Sequence, residues 1–129
     1  MRPVVQKREN APRAAAGLGS DVEAKLTHIG SCFCGAIRLE VTGLPEAMGY
    51  CHCRSCRSWS AAPVNAFSLW KPEAVRVTAG SEHLATFQKT SMSQRQYCRR
   101  CGGHLMNNHR PLSLVDVYAA TITDARLSA

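Results

Sequence analysis

At 129 residues the chain has room for one domain and one core. Only 6% of the residues are aromatic although 45% are apolar, so the core is short of large side chains and calls for a covalent or metal staple. No run of about 18 uncharged apolar residues occurs, which excludes a helical membrane span, and the net charge of +7 contains no block of five like charges, so charge alone does not make a nucleic-acid binder.

The start, "MRPVVQKREN", lacks the apolar core of a secretory signal. A cytoplasmic location is expected, in which thiols stay reduced and clustered cysteines bind metal more often than they form disulfides. Residues 1–27, rich in Ala, Gly, Pro and charge, are expected to be a flexible N-terminal arm with room for one helical turn over Asp21–Leu26. From His28 the texture changes, and residues 28–124 read as the folded domain, followed by a short tail over 125–129. "AIRLEV" (Ala36–Val41) alternates apolar and polar residues as a half-buried strand does. Further short strands are expected at Val64–Trp70, Ala74–Thr78, Leu84–Phe87, Gln94–Cys98 and Leu114–Ile122. Turn signals such as "TGLP", "TAGSE" and "HRPL" separate them. Only "CRSCRSWSA" reads as helix. The class is all-β, with six to nine short strands. Trp59 is assigned to the core, and Asn107, Asn108 and His109 to an exposed polar loop.

The seven cysteines fall into three groups: Cys32 and Cys34 in "SCFCG", Cys51, Cys53 and Cys56 in "YCHCRSCRSW", and Cys98 and Cys101 in "YCRRCGG". Along an extended segment a C-x-C pair points both sulfurs to one side. A C-x-x-C pair followed by Gly102 is a metal knuckle, because glycine supplies the positive φ of the tight return. Disulfides would leave one thiol over. Metal is the better reading, with zinc first and iron–sulfur second, since tetrahedral thiolate sites suit zinc. Four and three is the natural division. Cys32, Cys34, Cys98 and Cys101 make a closed four-cysteine site, and Cys51, Cys53 and Cys56 a triad with an open fourth position. The triad borrowing a cysteine from a pair is the less attractive division. His104 or His109 are the candidates for closing the triad with a protein ligand; His52, adjacent to two of its cysteines, is badly placed. Arg54, Arg57, Arg99 and Arg100 lie beside the cysteines and can offset thiolate charge. Arg54 and Arg57 are also candidates for binding the carboxylates of a substrate.

The blocks "GSCFCGAIRLEVTG", "YCHCRSCRSW" and "RQYCRRCGGHL" resemble, in order and with all seven cysteines, the signature of the glutathione-dependent formaldehyde-activating enzyme family, which also includes centromere protein V. The resemblance runs from about Ile29 to Ile122. It implies a zinc-binding β-tent fold with short strands and little helix. It implies two zinc ions per chain, a structural one on Cys32, Cys34, Cys98 and Cys101 and a second on Cys51, Cys53 and Cys56. The implied activity is that of a carbon–sulfur lyase, joining formaldehyde and glutathione into S-hydroxymethylglutathione. A small thiol and a small aldehyde are then the partners. The alternative is a non-catalytic zinc module that binds protein or nucleic acid. A concave pocket at the triad favours the enzyme, and a flat basic face favours the module.

Overall fold

The computed structural model describes residues 4–6 and 26–123; the expected helical turn near 21–26 and the tail over 125–129 lie outside the described residues, apart from Leu26. Ten strands are described: β1 (Val4–Gln6), β2 (Thr27–Ser31), β3 (Arg38–Thr42), β4 (Ala47–Cys51), β5 (Asn65–Trp70), β6 (Val75–Ala79), β7 (Leu84–Thr90), β8 (Ser93–Cys98), β9 (His104–His109) and β10 (Leu114–Tyr118). One α-helix, α1 (Arg54–Ser60), stands among them with four single 3-10 turns. The all-β reading is borne out. The strands form two sheets, a seven-stranded one in the order β1-β4-β5-β10-β9-β8-β7 and a three-stranded one in the order β2-β3-β6. Every pairing in both is antiparallel.

The core lies between the sheets. Alternation in β3 buries Leu39 and Val41 and turns Glu40 outward, where it pairs with Arg76 of β6 at 3.0 Å. From the large sheet Trp70, Met106, Val115 and Val117 complete the layer with Ile37, Leu105, Ile122 and the buried thiols Cys32 and Cys98. Trp70 is fully buried, and its indole N–H donates to Ser68 Oγ at 2.8 Å, so the one large aromatic at the centre leaves no polar atom unpaired.

Six strands and the helix fall where the sequence places them. β2, β4 and β9 are not among the expected strands, and the last two share a reason. β4 buries Met48 and Gly49 in succession, and β9 buries Leu105, Met106 and Asn107 in a row, so neither shows the period-2 alternation of a one-sided strand. Both of these strands are covered on two faces. Asn107, Asn108 and His109 are therefore the end of β9 and not an exposed loop, which corrects the reading from polarity alone. β1 falls within the segment expected as an arm; it pairs Val4 with Tyr50 and Gln6 with Met48 on the open edge of β4.

Candidate functional site

The fold brings the seven thiols into two groups. In each, the sulfurs lie within 4.8 Å of one another: Cys32, Cys34, Cys98 and Cys101 in one, Cys51, Cys53 and Cys56 in the other. Two cysteine clusters can thus hold metal ions. The four-cysteine cluster joins the β2–β3 turn of the small sheet to the β8–β9 turn of the large one. Cys32 Sγ stands 3.6 Å from Cys34 Sγ, which stands 3.9 Å from Cys98 Sγ. A tetrahedral ion with metal–sulfur bonds of about 2.3 Å sets its ligand sulfurs about 3.8 Å apart, so the donor set fits zinc in type, number and spacing. Backbone amides support the sulfurs: Ile37 N–H donates to Cys32 Sγ and Gly103 N–H to Cys101 Sγ, both at 3.3 Å. Gly102 carries the expected positive φ, 77°, and its N–H closes the turn on Cys98 O at 2.7 Å. The amide of Gly103 draws the Cys101 thiol down to about 6. At Cys34 the Ala36 amide acts the same way, but desolvation and the neighbouring thiols outweigh it and push the group up to about 11. Thiols packed this closely titrate as a group, as a shared ligand set does.

The triad is local. Cys51 ends β4, Cys53 is the N-cap of α1, and Cys56 sits in the first turn of that helix, where its N–H donates to Cys53 Sγ at 3.3 Å. Burial dominates its electrostatics. It pushes Cys56 up to about 12 and also raises Cys51; at Cys53 burial is the largest effect, but the Cys56 amide and the neighbouring thiols overcome it and lower the group. No fourth His, Cys, Asp or Glu ligand joins the group among the described residues. His104 is instead stacked on Trp59, with ring centroids 4.3 Å apart and planes 17° from parallel. Trp59 also meets Phe87 and Tyr97, so it belongs to a satellite aromatic cluster beneath the helix, outside the main core.

The triad forms one wall of a cavity of about 400 Å³, a size in the range of small-molecule sites (about 300–1,000 Å³). Its floor is the face of the large sheet that points away from the core. Strand register sets the floor: Leu69, Asp116, Asn107 and Arg95 are successive cross-strand partners on β5, β10, β9 and β8. Phe67, Met92 and Leu112 add apolar surface, and His109 adds an imidazole whose affinity for protons is lowered by burial and by Arg95. Arg54 and Arg57 are exposed on α1 and do not line the cavity. The guanidinium that does is Arg95, which donates to Ser55 Oγ at 2.9 Å and Tyr118 Oη at 3.4 Å and lies 5.7 Å from the Trp59 ring centroid. Burial alone would weaken its hold on a proton, but Tyr118 and Cys56 more than offset this. Arg95 and Asp116 carry no sequence signal. Asp116 sits at the polar position of an alternating strand and Arg95 in the all-polar run Ser93–Gln96, so both read as solvent-facing.

The model of the glutathione-dependent formaldehyde-activating enzyme family matches residues 27–128. The chain belongs to this family. Among individual relatives of this family member, it is 32% identical over 73 residues to an uncharacterised lyase of Schizosaccharomyces pombe, covering 57% of this chain and 51% of that protein. It is 33% identical over 82 residues to a protein of Halomonas elongata named for glutathione-dependent formaldehyde activation, covering 59% and 52%. The chain spans about half the length of these curated relatives. A crystal structure of a Rhodobacter sphaeroides protein matches with a TM-score of 0.65 at 24% identity, over 76% of this chain and 90% of that one, a likeness of fold. Among the described residues no helix is long and apolar enough to cross a membrane.

Proposed function

We propose that this member of the family is a carbon–sulfur lyase-type enzyme acting on a thiol–aldehyde adduct, in the manner of formaldehyde and glutathione joining as S-hydroxymethylglutathione. Cys51, Cys53 and Cys56 would hold the catalytic zinc, and Cys32, Cys34, Cys98 and Cys101 a structural one. The observation that carries the reading is the cavity: three thiols with no fourth described ligand form its wall, whereas a binding module would surround them with a flat basic face. A zinc ion there would supply Lewis acidity, holding a substrate thiol as thiolate at neutral pH or polarising an aldehyde oxygen.

The chain's own residues do the rest. Phe67 and Leu69 give the floor an apolar surface that strengthens charge interactions beside it, and Met92 and Leu112 stand exposed at the rim. Three thiolates with a divalent ion leave one net negative charge, and a substrate thiolate would add another. Arg95, fixed by Ser55 and Tyr118 against Cys56, is placed to offset it. Arg54 and Arg57 fall to the carboxylates of a thiol that extends past the cavity mouth.

Cobalt substitution tests this directly, because cobalt–thiolate absorption responds to the number and type of ligands. Glutathione is expected to shift the bands of the triad site and leave those of the four-cysteine site unchanged. A spectrum that does not move would remove the main support for the enzyme reading.

A further inference from the structure

The cavity floor holds two groups that the zinc chemistry does not use. Asp116 is 5% exposed and Asn107 1% exposed; both line the cavity, and they stand directly opposite each other on β10 and β9. Facing side chains in such a pair have Cβ atoms about 4.5–5.5 Å apart. Among the described residues Asn107 Oδ1 is fully buried without a hydrogen-bond partner, and the Asp116 carboxyl has a single donor, Ser68 N–H at 3.3 Å. The nearby cation does not pair with it. Arg95 donates to Ser55 and Tyr118 and acts on Asp116 only through space. Buried polar groups left unpaired are rare and call for an explanation, and Asn107 is the one such described group that lines the cavity.

We propose, resting on the thiol–aldehyde reading above, that Asp116 is the catalytic residue that exchanges a proton with the aldehyde oxygen, with Asn107 beside it orienting the resulting hydroxyl. In the condensing direction the thiol sulfur bonds to the carbonyl carbon as the C=O π bond opens. The carbonyl oxygen takes the proton of the Asp116 carboxyl, and the proton released by the thiol returns through solvent to the carboxylate. In the cleaving direction the carboxylate takes the hydroxyl proton as the C–S bond breaks. Nothing is oxidised or reduced, and no further reactant is needed.

Burial supports the assignment, raising Asp116 to about 8 against the smaller opposing effects of the Ser68 amide and Arg95. A neutral carboxyl on the cavity floor has a proton to give to a bound oxygen, Asn107 Oδ1 is left to accept from the hydroxyl that forms, and a group poised near the working pH transfers protons in both directions. Around Asp116, β8 presents Arg95, β9 presents His109, β10 itself presents Tyr118, and the three thiols stand on the same cavity. β5 offers only the Ser68 amide and apolar Leu69. His109 is the rival proton carrier.

Asp116→Asn tests the assignment, because the amide keeps an oxygen for Ser68 N–H and keeps the volume. The zinc-loaded full chain is assayed for exchange of labelled formaldehyde with glutathione by NMR across pH, beside His109→Asn, with metal content, thermal stability and the cobalt response to glutathione as controls. Asp116→Asn is expected to keep its metal and its cobalt response, lose about 10²–10⁴-fold in kcat with KM little changed, and lose the wild-type pH dependence. A carbonyl infrared band of a neutral carboxylic acid, present in the wild type at neutral pH and absent from Asp116→Asn, is the second expected result. Wild-type exchange retained in Asp116→Asn, or lost instead in His109→Asn, overturns the role of Asp116 alone. Absence of exchange in the wild type overturns the reading of the site as well.

Discussion

The two cysteine clusters are built from the same atoms at opposite extremes of chain separation. Cys34, in the β2–β3 turn of the small sheet, and Cys98, at the end of β8 in the large one, are 64 residues apart, whereas the triad spans one β4–α1 segment. A bond across two sheets constrains most of the unfolded chain and adds to a core with few large side chains, while a bond within six residues constrains little. The first cluster is therefore placed to hold the fold. The second closes no long loop, so an open fourth position of the kind proposed for it would cost the fold little. Burial runs the same way: Cys32 and Cys98 belong to the core between the sheets, and no triad thiol does.

The sharpest way to break this contrast is to remove one ligand from each cluster. Structural zinc contributes roughly 10–16 kcal/mol in small zinc peptides, against a typical domain stability of about 5–15 kcal/mol. Cys34→Ser and Cys101→Ser are expected to abolish soluble folding, and Cys53→Ser to leave a folded protein with one metal fewer. Soluble yield, melting temperature and metal content check it; equal melting of Cys101→Ser and wild type would end the structural assignment of the clasp.

The cavity floor gives the next largest effect. Asp116 titrates near 3.8 in its ordinary state and at about 8 in the fold. Below the lower value both states are protonated and stability is unaffected. Between the two the folded state alone holds the proton, so stability is lost as pH rises, at up to about 1.4 kcal/mol per pH unit, and the loss ends above the folded value. Asp116→Asn cannot ionise, so the difference between its denaturant midpoints and those of wild type is expected to grow in its favour up to about pH 8. A difference independent of pH would show that the carboxyl is not held neutral.

The charged groups sharpen the contrast between the helix surface and the cavity. Arg95→Ala is expected to weaken glutathione's effect on the cobalt spectrum about tenfold, the equivalent of about 1.4 kcal/mol. Arg54→Ala with Arg57→Ala should weaken it by about twofold, since exposed charges are screened. The reverse order, read from titrations at one salt concentration, would return the substrate contacts to α1. The smallest change is expected from Ser55→Ala, which removes the exposed hydroxyl that holds Arg95. It should cost about 0.5 kcal/mol in stability while moving the glutathione titration in the direction of Arg95→Ala. An unmoved titration would show that Arg95 needs no such anchor.

The contrast between the clusters was already present in the spacing of the cysteines, for a local reason. C-x-C and C-x-x-C-G fix where sulfurs point over a few residues whatever surrounds them, and Gly102 adopts its positive φ as that geometry requires. The all-β class was legible in the same way, because a strand such as β3 covered on one face writes its burial into alternation. Leu114–Tyr118 alternates equally well, and there the local rule fails. Val115 and Val117 face the core as the pattern says, but Asp116, which the pattern gives to solvent, is buried with Asn107 in the cavity floor. Alternation reports that a strand has two faces and says nothing of what covers the second. Here it is the β4–α1 segment with its three thiols and the β7–β8 turn with Met92. Cys51, Arg95, Asn107 and Asp116 come from four strands, and only the register of the large sheet and the packing above it bring them to one cavity. The cysteine pairs and the triad are set by neighbours in sequence and the cavity floor by neighbours in space, which is why only the first could be read from the chain.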